Sequence, residues 1–305
     1  MDIPQFIHIK KEIYDHILEV IENEDLFNDS YLELQQFLEN QKINENKIEL
    51  QELLNLILQI FSHHYRHQFF MNNIEKIIIY LIKYNSQNFT NFELFQIFES
   101  SKLIIYLLLT NNLITFDKNI VEYILKNTNK NYYHFFYPEI EKIVDAKVKN
   151  DIKNDILKDD PNCFENFEEK RRIGENDSYL CSLIRNDSIE EFVSFSNKIN
   201  LSLSNTTIEP SIFETNLFLI ENHSTLIEYA TFYGSIQIFK YLQYNNVNLE
   251  QSLWLYAIHS NNGEMIHLLE ENDVQLDNEL LEKIYEESIK CHHNDIANYI
   301  ENIKI

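Results

Sequence analysis

Glycine is nearly absent from this chain, with 3 residues in 305, against roughly 20 in an average sequence of that length. Proline is scarce as well, at 4. Tight β-hairpin turns and phosphate-cradling loops depend on glycine for positive φ and for close backbone approach. Its scarcity argues against a β-sandwich, a barrel or a Gly-looped nucleotide-binding fold. Cysteine is limited to Cys163, Cys181 and Cys291. An odd, widely spaced set without Cys-x-x-Cys excludes a disulfide framework and the usual structural zinc pattern, and points to reduced thiols in the cytoplasm or nucleus. Basic residues are few: 25 against 49 acidic ones, a net charge of −24 and a pI near 4.8. Such a field repels phosphate backbones, so no nucleic-acid partner is expected. The one dense basic cluster, Lys170-Arg171-Arg172, is too small to form a groove. The longest apolar runs, 77–82 and 103–109, fall far short of the roughly 20 residues that span a bilayer, so no membrane segment is expected. Met1-Asp2-Ile3-Pro4 lacks the basic start and apolar core of a secretory signal.

What the chain has instead is apolar mass and asparagine. Hydrophobic residues make up 44 % of it, enough for a large core, with 43 isoleucines and 38 asparagines. Asparagine tolerates the left-handed conformation better than any residue except glycine, so helices joined by Asn-rich turns fit this composition.

The C-terminal third repeats. Thr225-Leu-Ile-Glu-Tyr-Ala230 is followed by Gly234 and then by Ile238, Phe239 and Leu242. Ser252-Leu-Trp-Leu-Tyr-Ala257 is followed by Asn261 and then by Met265, Ile266 and Leu269. A third copy sets Ser288, His292 and then Ile296, Ala297 and Ile300 in the same order. An upstream unit over 179–193 puts Leu183 at the small position and Asn186-Asp187 at the turn. Each unit reads as two short amphipathic helices broken at Gly, Asn or His, with a small residue in the first helix that admits its neighbour. A single pair cannot bury its apolar face, whereas stacked pairs can. The longer step between the first two units predicts an insertion near 200–222, a polar loop in which Pro210 starts a short helix. Trp254 falls on Ile227, a core position.

Thr225 through Gly234 resembles the first helix of an ankyrin repeat, and Gly234 through Val247 its second helix and following turn. No Pro-Leu-His follows Thr225, and Asn246 and Asp273 stand where glycine usually opens the finger loop. The phrases 174–179, 210–216, 252–262 and 289–300 are similar to those of a large family of degenerate ankyrin-repeat proteins expanded in trichomonad protists, which carries a domain of unknown function. The resemblance implies an all-α, ankyrin-like helical-repeat solenoid with few or no β-hairpin fingers. It brings no assigned activity.

Fainter echoes occupy the first half. Residues 73–82 and 100–109 superpose with Leu81 on Leu108, each ending in Asn, as second helices of degenerate repeats. Phe6, Ile9, Ile13, Ile17 and Val20 lie at helical spacing and predict an amphipathic N-terminal helix that caps the stack. The expected organisation is an N-terminal helical region over 1–138, a charged helical connector over 139–172 ended by Pro161, and a C-terminal array over 173–305.

Chemical motifs are sparse. His63 and His67 share a helix face, but the glutamate of the helical zinc motif is missing and Arg66 adds positive charge beside them. Cys291-His292-His293-Asn294-Asp295 mixes a thiol, imidazoles and a carboxylate, yet adjacent residues on a helix point apart. No catalytic residue, metal or cofactor is expected. In an ankyrin-like register Tyr229, Phe232, Tyr233, Tyr256 and His259 line the concave face, where Tyr and Phe give rigid contact area for a partner; packing between repeats is the competing role. The expected function is a non-enzymatic protein-interaction module or scaffold with a protein partner, a basic one being favoured by the acidic field. The alternatives are an enzyme with an unrecognised site in the N-terminal half and a self-associating structural protein.

Overall fold

The computed structural model describes residues 3–22, 27–42, 46–63, 68–84 and 89–303. These residues form twenty helices and no strand; an isolated antiparallel bridge joins Thr207 to Thr225. The fold is all-α. Many of the helices start where a side chain can accept an orphan N–H of the first turn. Thr90 and Thr225 form capping boxes with Glu93 and Glu228, and Ser101, Asp117, Asp145, Ser178 and Asp277 cap singly.

The described residues divide into two compact units, one running up to Phe167 and the other from Glu168 onward. The first unit begins with α1 (Ile3–Glu22), α2 (Phe27–Asn40), α3 (Lys47–His63) and α4 (Gln68–Tyr84). In it, α1 packs on α2 and α4 and buries Ile9, Ile13, Ile17 and Val20 at helical spacing; the side chain of Phe6 lies outside the described residues. There follow α5 (Asn91–Phe98), α6 (Lys102–Thr110), α7 (Lys118–Asn127), α8 (Lys130–Phe135), α9 (Tyr137–Ile140) and α10 (Ala146–Asp159). Leu81 and Leu108, the paired positions of the faint repeat, are both fully buried, on α4 and α6. The two helices differ in length, 17 residues against 9. Within the stretch expected as a connector, α10 buries Ile152 and Ile156 and packs on α9, and the first unit runs through Phe167.

In the second unit α11 (Phe167–Ile173) leads into helix pairs: α12 (Tyr179–Arg185) with α13 (Ile189–Lys198), α15 (Leu226–Phe232) with α16 (Ile236–Tyr244), α17 (Leu253–Ser260) with α18 (Gly263–Glu271), and α19 (Asn278–Lys290) with α20 (Asn294–Ile303). The first helices pack in series, α12 on α15, α15 on α17 and α17 on α19. Asp187, Gly234, Asn261 and His292 all have positive φ, between 47° and 67°. They are the four turn positions of the repeat, each standing four residues after Leu183, Ala230, Ala257 or Ser288, which are all buried. In three of the turns the next N–H reaches back over the bend: Ser188 to Leu183 O, Ser235 to Ala230 O and His293 to Ser288 O. This closure satisfies the last carbonyls of the first helix and needs a left-handed residue. The second helices end alike at Asn200, Asn246 and Asp273, with Leu201, Val247 and Val274 bonding back to Ser196, Leu242 and Leu269. Most non-Gly residues with positive φ are Asn or Asp, which is how a chain with three glycines makes so many helix breaks.

The pairs are also stitched to one another. Neither Ser188 nor Ser235 caps its helix through its side chain. Asp187 instead reaches across to the next pair, its carboxylate accepting from Gln237 N and Ile238 N at 2.9 Å each. Ser235 Oγ donates to Ile184 O at 2.6 Å. Trp254 is buried, as its repeat position requires, and donates to Val274 O at 3.0 Å.

The insertion departs from the expected polar loop. Its helix, α14 (Leu217–Glu221), starts at Asn216, which accepts from Leu219 N, and not at Pro210. Phe213, Glu214 and Thr215 are buried. The Glu214 carboxylate accepts from Asn176 N, Thr215 N and Asn216 N, and Thr215 Oγ1 donates to Gly174 O at 2.7 Å. These bonds fasten the insertion to the turn before α12, so it is part of the packed unit.

Candidate functional site

The structure brings the five predicted contact residues into one neighbourhood at the ends of α15 and α17. Tyr229, Phe232, Tyr256 and His259 are buried and Tyr233 is partly buried. Tyr229 and Tyr233 pack with ring centroids 4.8 Å apart, and Phe232 stacks on His259 at 5.2 Å. The residue that joins them is one the sequence pattern does not single out. Phe218, on α14, stacks on Phe232 at 5.9 Å, meets Tyr256 edge-on at 4.9 Å and lies 4.2 Å from the His259 ring. Thus the insertion covers part of the face expected to be open, over Phe232, Tyr256 and His259.

Polar anchors surround the rings. Arg185, at the end of α12, donates to Tyr229 OH at 3.0 Å and to Asn176 O at 2.8 Å, and pairs with Glu175 at 2.8 Å. Burial pushes the Tyr229 and Tyr233 phenols well above their ordinary value. Burial also pushes Tyr256 up to about 12, partly offset by its bond with Ser224. These tyrosines are neutral hydrogen-bonding groups at physiological pH.

A second feature begins on the same histidine. His259 faces Glu287 of α19 and Cys291 at the C-cap of that helix. Its Nδ1 lies 3.5 Å from Cys291 Sγ and its Nε2 lies 3.2 Å from Glu287 Oε1. Glu287 and Cys291 are four residues apart and therefore share a helix face. Burial drives the Cys291 thiol strongly up. Burial also opposes ionisation of Glu287, but His259 and Lys290 outweigh it and hold the carboxyl at about 2. Sequence reasoning grouped Cys291 with His292 and His293. The structure uses His292 as the left-handed turn and pairs Cys291 with a histidine 32 residues away. The i,i+4 spacing of Glu287 and Cys291 was the available signal.

Two other His-carboxylate groups occur among the described residues. In the first unit His134 is buried with Nε2 3.2 Å from Asp155, while Asp159 is held by Lys130 at 2.6 Å. His16, Glu19 and Glu33 form a more exposed group. His63 ends α3; His67, weighed with it as a metal ligand from the sequence, lies outside the described residues.

The chain matches no protein-family model, no curated protein and no solved structure. No helix among the described residues is long and apolar enough to cross a membrane.

Proposed function

We propose that the chain is a non-enzymatic protein-interaction module whose second unit is an ankyrin-like solenoid of degenerate repeats. The observation that supports this reading is the fourfold recurrence of helix, left-handed turn and helix in one register, with first helices packed in series. Modules of this kind present a surface whose area grows with each repeat, and they bind by shape and side-chain complementarity. The contact face is the one built by Tyr229, Phe232, Tyr233, Tyr256 and His259. Phe218 covers Phe232, Tyr256 and His259, so a partner meets this face at Tyr233, which stays partly exposed. A net charge of −24 favours a basic protein partner and speeds its approach.

Affinity capture of the tagged chain from its own cell extract, at low and high salt, tests this. A stoichiometric protein is expected, held through apolar contacts if it survives high salt. Phe218→Ala, which uncovers the face, is expected to increase its recovery. Recovery of the bait alone at both salt concentrations, for the wild type and the variant, overturns the reading.

A further inference from the structure

We propose that His259, Glu287 and Cys291 form a binding site for a divalent metal ion of the zinc type, which ties α17 to α19. One potential ligand atom from each residue lies within 4.8 Å of those of the other two. The donor set, an imidazole nitrogen, a thiolate sulfur and a carboxylate oxygen, is the set that zinc prefers. The separation of His259 Nδ1 and Cys291 Sγ is 3.5 Å. Two ligands at zinc's usual bond lengths, about 2.3 Å to sulfur and about 2.0 Å to nitrogen, stand about 3.5 Å apart around a tetrahedral centre. The separation within that half of the site is therefore already the one a shared ion requires.

Glu287 completes it. Its carboxylate stands 3.2 Å from His259 Nε2, yet Nε2 makes no well-directed hydrogen bond. The contact is one of proximity and charge, and a swing of the side chain on the α19 face it shares with Cys291 brings an oxygen to the metal. Lys290, whose Nζ lies 3.3 Å from the other carboxylate oxygen, is the competing cation and sits largely in solvent. Cys291 is fully buried, and Glu287, at 16 % side-chain exposure, forms the open side. A fourth, water position belongs there. The rings of Phe218 and Phe232 against His259 exclude water from the other side, which strengthens the metal–ligand bonds. Binding requires Cys291 as the thiolate and the Nδ1 lone pair of the neutral His259 ring, so it breaks the S–H bond, forms the metal–sulfur bond and releases that proton to solvent.

The test uses the full chain, stripped with chelator and titrated with cobalt(II) as the optical probe and then with zinc. One equivalent of cobalt per chain is expected, with a sulfur-to-cobalt charge-transfer band that zinc bleaches and about one proton released per ion. Cys291→Ser is expected to lose the band while Trp254 fluorescence stays native. If that variant does not fold, Glu287→Gln decides, with an expected affinity loss of about tenfold or more. Absence of the band in the wild type overturns the site and leaves a metal-free hydrogen-bonded staple. A band that persists in folded Cys291→Ser, or unchanged affinity in Glu287→Gln, overturns it equally.

Discussion

Replacing Gly234 with alanine tests the repeat turn at its tightest point. Gly234 has φ of +67°, and an added Cβ would stand 3.0 Å from Asn262 Nδ2 and 3.3 Å from Asn262 Cβ. Two costs follow. A left-handed L-residue costs roughly 1–2 kcal/mol, offset by about 0.4–1 kcal/mol because alanine restricts the unfolded chain. Asn262 must also give way, and its side chain has two uses. Its Oδ1 accepts from Glu264 N to cap α18, and its Nδ2 donates to Gly234 O. Losing that cap adds about 1 kcal/mol. The net expectation is about 2 kcal/mol, with the cost falling by about 1 kcal/mol when Asn262 is first changed to glycine. Urea unfolding followed by Trp254, the single tryptophan and a buried member of this unit, reports the change directly. A destabilisation below about 0.5 kcal/mol, or no coupling to Asn262, would refute the argument that this turn needs glycine.

Other expectations follow from the same contacts. His292→Gly and Asp273→Gly should stabilise the second unit by up to about 1 kcal/mol, because both are left-handed residues with a Cβ. Asp187→Gly should destabilise it, since the carboxylate that caps α16 is lost; the same urea titration ranks all three. Leu242→Asp places an unpaired charge at a fully buried position and should cost at least 3–5 kcal/mol, read as loss of cooperative unfolding in far-UV circular dichroism. Burial lowers the His134 pKa against the opposing pull of Asp155. A depressed base stays neutral when folded but gains a proton when unfolded, so its contribution is present above the unfolded value near 6.5 and lost as pH falls below it. Urea midpoints between pH 7 and 5 should decline less steeply in His134→Phe than in the wild type.

The repeat is legible in the sequence because its signals are local. Apolar residues at i, i+1 and i+4 place the stripe of the second helix, and Asp187, Gly234, Asn261 and His292 mark the turns by residue type. Leu183 is large for the small position of its pair, yet its spacing to Asp187 still places it. The insertion was legible only as a gap. Residues 200–222 carry no helical period, and Phe213 and Phe218 gain meaning only from what they cover. Register alone groups the five aromatic and histidine positions, but the ring that covers Phe232, Tyr256 and His259 comes from the insertion, so their exposure is not legible in the repeat. The pairing of His259 with Cys291 depends on how α17 lies against α19. That is a matter of tertiary packing between residues 32 positions apart, in which the small Ala257 and Ser288 are fully buried.

The interaction reading is tested most directly by the solution mass of the purified chain with the protein it captures, measured by light scattering over a concentration series. The account predicts a complex of fixed stoichiometry for the wild type and a weaker one for Tyr233→Ala, with native Trp254 fluorescence in both. A chain that stays at 36.7 kDa in the presence of the captured protein, or that forms only multiples of its own mass, would contradict it.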